Sequence, residues 1–97
     1  MIRHVVMFRW NETASPEHLS AFATALDGLP SAIASIATYR HGPDLGINAG
    51  NHEYAVVADF ATVEDFLTYR DHPEHQRLIT EHITGRVADR ASVQFEL

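Results

Sequence analysis

A chain of 97 residues with 45% apolar side chains has the size of one domain, read as spanning 1–97, and is too apolar for a disordered acidic tail. Its net charge of −6, with 13 acidic residues against seven Arg and no Lys, argues against nucleic acid or an anionic membrane as partner, and leaves no lysine for a Schiff base or a pyridoxal phosphate anchor. There is no Cys, which removes disulfides, thiolate nucleophiles and zinc–thiolate centres. The apolar start is short and broken by Arg3, His4 and Arg9, so neither a signal peptide nor a membrane span is expected, and a cytoplasmic protein is the default reading.

Ile2–Trp10 reads as a strand with Ile2, His4, Val6, Phe8 and Trp10 on one side and Arg3, Val5, Met7 and Arg9 on the other. Its middle is apolar on both sides, so both faces should be covered. Ser15 is placed to cap a helix that opens with Pro16 and Glu17. Leu19, Phe22, Ala23, Leu26 and Leu29 give that helix one apolar face, and Gly28 or the Leu29–Pro30 pair is expected to stop it. Residues 31–35 read as a connector and 36–41 as a second strand ended by Gly42 and Pro43. Residues 42–51, rich in Gly and Asn, form a loop with no phosphate-binding glycine pattern. Residues 53–60 are a third strand with Tyr54, Val56, Ala58 and Phe60 on one side.

Thr62 caps a second helix with Glu64 and Asp65 in its first turn, and Val63, Phe66, Leu67 and Arg70 are read as its inner stripe. Pro73 must interrupt it, because the residue before a proline is pushed out of the helical region. A further helical stretch over 74–83 turns Leu78, Ile79 and His82 inward. Residues 91–97 alternate cleanly, with Ala91, Val93, Phe95 and Leu97 on one side of a half-buried last strand.

The order is β-α-β-β-α-β, the ferredoxin-like α+β arrangement: a four-stranded antiparallel sheet with its helices on one face. The other face is too apolar for water, and its simplest cover is the same face of a second copy. Two such sheets would form a barrel, and cavities for a small, largely apolar or aromatic ligand are expected inside it.

The chemistry concentrates in Tyr69-x-x-His72-Pro73-x-His75 and in His4 on the first strand. An imidazole with an ordinary pKa of ~6.5 suits general base work at neutral pH. His75 is the candidate base, Tyr69 the group that orients it or the substrate, and His4 a second polar group across the cavity. The competing reading makes Tyr69 and His75 cap and packing residues around the Pro73 break. His72 and His75 straddle that proline and so lack the regular helical face of a metal pair, and no metal or cofactor is expected. His18, His41 and His52 fall in positions that look exposed. Phe8 and Trp10 read as core, at a dimer interface or along a ligand wall. No GxSxG nucleophile elbow is present.

The run from Ile2 to Trp10, the Tyr39-Arg40-His41-Gly42 segment, the strand from Tyr54 to Phe60 and the Tyr69-x-x-His72-Pro73-x-His75 motif resemble the stress-responsive dimeric α/β barrel (Dabb) domain. The resemblance implies a homodimer of ferredoxin-like subunits, often linked to stress responses. One plant member, olivetolic acid cyclase, closes a linear polyketide by an aldol condensation without a cofactor, and related barrels include cofactor-free monooxygenases. Carried over, the cyclase pattern falls on His4, Tyr69 and His75, with Tyr54 standing where the cyclase has a central-strand histidine.

Overall fold

The computed structural model describes residues 1–97. In chain order the elements are β1 (Ile2–Trp10), α1 (Pro16–Ala32), β2 (Thr38–Pro43), β3 (Tyr54–Phe60), α2 (Val63–Asp71), α3 (Pro73–Leu78), a π-helical turn (Ile79–Ile83) and β4 (Val87–Glu96). The sheet runs β2-β3-β1-β4 with every neighbouring pair antiparallel, and the helices cover one face. This is the expected ferredoxin-like topology.

The alternation of β1 sends His4, Val6, Phe8 and Trp10 under the helices, beside Tyr54, Val56, Ala58 and Phe60 of β3. α1 begins where Ser15 Oγ accepts the His18 N–H, and it lays Phe22, Leu26 and Leu29 on that apolar surface. Phe22 is fully buried, with its ring edge-on to Trp10 at 5.4 Å. Burying such a side chain contributes ~1.5–3 kcal/mol.

Five boundaries or faces differ from expectation, one of them the last strand, which begins at Val87 and not at Ala91. α1 runs past Gly28 and Pro30 to Ala32. Pro30 has no N–H to give the Leu26 carbonyl, but buried Leu29 and Ile33 pin the chain on either side, with the Ile33 N–H on the Leu29 carbonyl at 2.9 Å. β2 lies two residues later than expected: Ile36 belongs to the turn after α1, and Gly42 and Pro43 pair with Ala55 and Tyr54. A proline is tolerated there because β2 is an edge strand. On α2 the inward residues are Phe66 and buried Tyr69, whereas Val63 is 55% exposed. Of the two faces the sequence offers, the one with two aromatic rings removes more surface from water. The helical stretch after Pro73 is α-helical only to Leu78, and then widens into the π turn, where the Thr84 N–H reaches back to the Ile79 carbonyl at 2.9 Å.

The strand registers place Val5, Met7, Ala55, Val57, Ala91, Val93 and Phe95 together on the face away from the helices. Val93 and Phe95 are 53% and 46% exposed there, so the apolar side of β4 is not buried within the chain. Arg3 and Asp59 join across this face at 2.8 and 2.9 Å, and Thr38 also donates to Asp59. No helix is long and apolar enough to cross a membrane.

Candidate functional site

The helix-covered face of the sheet encloses a cavity of about 410 Å³, lined mostly by apolar side chains and touched by His4, Tyr69 and His75. The three residues singled out from the sequence thus meet at one space. That space lies between the sheet and the helices of a single chain, and not between two sheets as expected. β4 packs against β1 and hardly against the helices, and it turns its polar side, Arg90 and Gln94, toward the cavity.

Proline 73 sets the orientation of His75. A regular helix would give the Arg70 carbonyl the N–H of Glu74. The break diverts that N–H to His72 Nδ1, at 3.1 Å, so His72 caps α3. The freed Arg70 carbonyl accepts instead from His75 Nδ1 at 2.9 Å and from the Gln76 amide at 2.7 Å. A carbonyl only accepts, so the His75 proton resides on Nδ1 and Nε2 keeps its lone pair. The ring lies 4.2 Å from that of Tyr69.

His4 has the opposite arrangement. Gln94 stands directly across from it in the β1–β4 register and donates its amide N–H to His4 Nδ1 at 2.8 Å. The proton of a neutral His4 is therefore on Nε2. Tyr69 shares a hydrogen bond with Tyr39 at 2.9 Å, and because one phenol donates to the other, one hydroxyl hydrogen is left for a third acceptor.

Burial governs the charges. It pushes the His4 imidazole down to about 4, with the Arg90 charge and His75 adding to the effect. His75 is lowered chiefly by burial too, aided by Arg90 and His72 and opposed by the Arg70 carbonyl and by Asp71. Burial raises the phenols of Tyr39 and Tyr69. At neutral pH the cavity thus holds two uncharged imidazoles and two uncharged phenols. One imidazole presents a lone pair and the other an N–H.

Several side chains read otherwise from the sequence. His18 is buried, edge-on to Trp10 at 5.6 Å, and its Nε2 donates to the His82 carbonyl at 2.6 Å. Its four-residue spacing from Phe22 was the available signal. His41 lies between the Tyr54 hydroxyl, at 2.8 Å, and Asp27, at 2.6 Å. The Tyr54 hydroxyl is thereby engaged outside the cavity. Phe8 is a cavity wall, while Trp10 packs under α1, so neither faces a second sheet. Arg90, Gln94 and Tyr39 were not singled out, because only strand register reveals that they face His4 and Tyr69. No group of three or more His, Asp or Glu is close enough to hold a metal ion.

The family described as Stress responsive A/B Barrel Domain matches residues 2–97. Among solved structures, a dimeric ferredoxin-like protein of unknown function from Thermobifida fusca YX is 45% identical, with a TM-score of 0.92 over 99% of this chain and 90% of that one. A dimeric protein of unknown function and ferredoxin-like fold from Bacteroides fragilis is 25% identical, with a TM-score of 0.83 over 99% and 95%. The hydroxynitrile lyase of Passiflora edulis shares the fold at 19% identity, with a TM-score of 0.86 over 99% and 92%. No curated protein matches the sequence.

Proposed function

The chain belongs to the stress-responsive A/B barrel domain family, and on that premise we propose that it is a homodimer in which each subunit's cavity performs cofactor-free proton transfer on a small carbonyl compound. His75 Nε2 is the general base that takes a proton from the carbon next to the carbonyl. His4 Nε2–H and the Tyr69 hydroxyl donate to the oxygen of the enolate that forms. The pair of electrons released from the C–H bond can then attack a second carbonyl of the same molecule, as in an aldol cyclisation. Run in reverse, the same groups cleave such a bond. The product alkoxide takes back the proton from the His75 imidazolium.

The observation that carries this reading is the pairing of opposite tautomers, His75 with a free lone pair and His4 with a free N–H, around one largely apolar space. A base and a donor held around a largely apolar cavity suit enolate chemistry. The lyase among the fold relatives is in keeping with it. The dimer is supported by the half-exposed apolar face of β4 and by two relatives described as dimeric.

Hydrogen–deuterium exchange tests the base without requiring the native substrate. An aryl methyl ketone incubated with the protein in D2O should gain deuterium beside its carbonyl, read by NMR. His75→Ala should slow this by about 100-fold or more. Exchange at an undiminished rate in that variant would remove His75 from the role.

A further inference from the structure

Among the cavity's polar groups, Arg90 is the one that proton transfer does not use. It projects from β4 on the helix side of the sheet, opposite Phe8, and it lines the cavity. Arg3, Arg70 and Arg77 each meet a carboxylate within 2.9 Å. Arg90 meets none: its side chain makes one long contact, 3.3 Å, to Ser92 Oγ. Arg9, Arg40 and Arg86 also lack a carboxylate partner, but of these four arginines only Arg90, an exposed residue of β4, lines the cavity. The other charged or titratable groups lining the cavity are His4 and His75, both of which feel its charge, Tyr39 and Tyr69, which share a hydrogen bond, and Arg70, which is already paired with Asp71.

We infer that the cavity takes an apolar or aromatic molecule bearing a carboxylate, and that Arg90 is the group that receives it. This deepens the proton-transfer reading and rests on it. Apolar walls such as Phe8, Phe66, Ile79 and Ile83 accommodate the body of the molecule. The planar guanidinium offers two parallel N–H groups to the two carboxylate oxygens, a geometry a neutral amide cannot match. With the acid end fixed on β4, the rest of the molecule extends toward His4 and His75. Arg90 is then a binding and positioning residue, one that selects acids over their neutral analogues.

The test uses 3-phenylpropionate and its neutral isostere 3-phenylpropionamide, titrated into wild type and Arg90→Gln while the imidazole signals of His4 and His75 are followed by NMR. The acid should bind wild type about tenfold or more tighter than the amide, and Arg90→Gln should bring the ratio close to one. In the unliganded variant both imidazoles should titrate at higher pH than in wild type, a readout that also reports that the variant is folded. If acid and amide bind wild type equally, the inference about Arg90 fails while the cavity stands. A preference for the acid that survives Arg90→Gln also overturns it. If neither compound perturbs either imidazole in wild type, both the inference and the cavity reading fail.

Discussion

At the residue scale, the stability of this protein should carry the signature of His4. Its imidazole titrates at about 4 in the folded chain against 6.5 unperturbed, mainly because it is buried. Above pH 6.5 both states are neutral and the difference contributes nothing. As the pH falls below 6.5 the unfolded chain takes up the proton first, so stability declines until about pH 4, by about 3 kcal/mol in all. Urea unfolding between pH 7 and 4 should therefore show a slope that His4→Gln flattens by roughly one proton. Parallel curves for the two proteins would contradict it. The loss due to Asp59 falls in a separate window, from 3.8, where the unfolded chain takes up the proton, down to about 2, where the Arg3 hydrogen bond first of all holds the folded carboxyl. His4, Tyr69 and His75 were legible in the sequence because strand alternation and a proline between histidines are local signals. Gln94, which fixes the His4 tautomer, is ninety residues away in sequence and meets it only through β-strand register.

At the scale of elements, the site depends on a helix that is twice irregular. The Pro73 break frees the Arg70 carbonyl that orients His75, and the π turn brings Ile79 and Ile83 to the cavity wall. His18 on α1 latches that turn through the His82 carbonyl. Its Nδ1 is buried without a partner, so the latch rests on Nε2 alone. His18→Phe preserves the ring against Trp10 but removes the donor. It should cost about 1–3 kcal/mol in urea unfolding and speed amide exchange at Thr84, whose N–H closes the π turn on the Ile79 carbonyl. Unchanged protection there would show that the turn holds without the latch. The break was readable, since Pro73 cannot be accommodated inside a helix. The π turn was not, because no residue type marks it and a contact from α1 stabilises it. Pro30 misled in the opposite sense: the burial of Leu29 and Ile33 on either side of it outweighs the helical hydrogen bond it forfeits.

At the scale of the whole molecule, the sheet serves two purposes on its two faces. The side under the helices holds the cavity, and the open side carries Val5, Met7, Val57, Val93 and Phe95. The apolar pattern on both sides of β1 made the need for a cover legible from sequence. The position of the cavity was not, because it depends on how far the helices reach across β4. Division of the two faces means that the proposed dimer can be broken without touching the imidazoles, by placing a charge at Phe95. Sedimentation velocity at micromolar concentration is the most direct measurement. Wild type should sediment at twice the 10.8 kDa of one chain, and Phe95→Arg at 10.8 kDa with its His75-dependent deuterium exchange retained. A wild-type protein that sediments at 10.8 kDa would contradict the covered face, and a monomeric Phe95→Arg that is folded yet inactive would contradict the independence of the two faces.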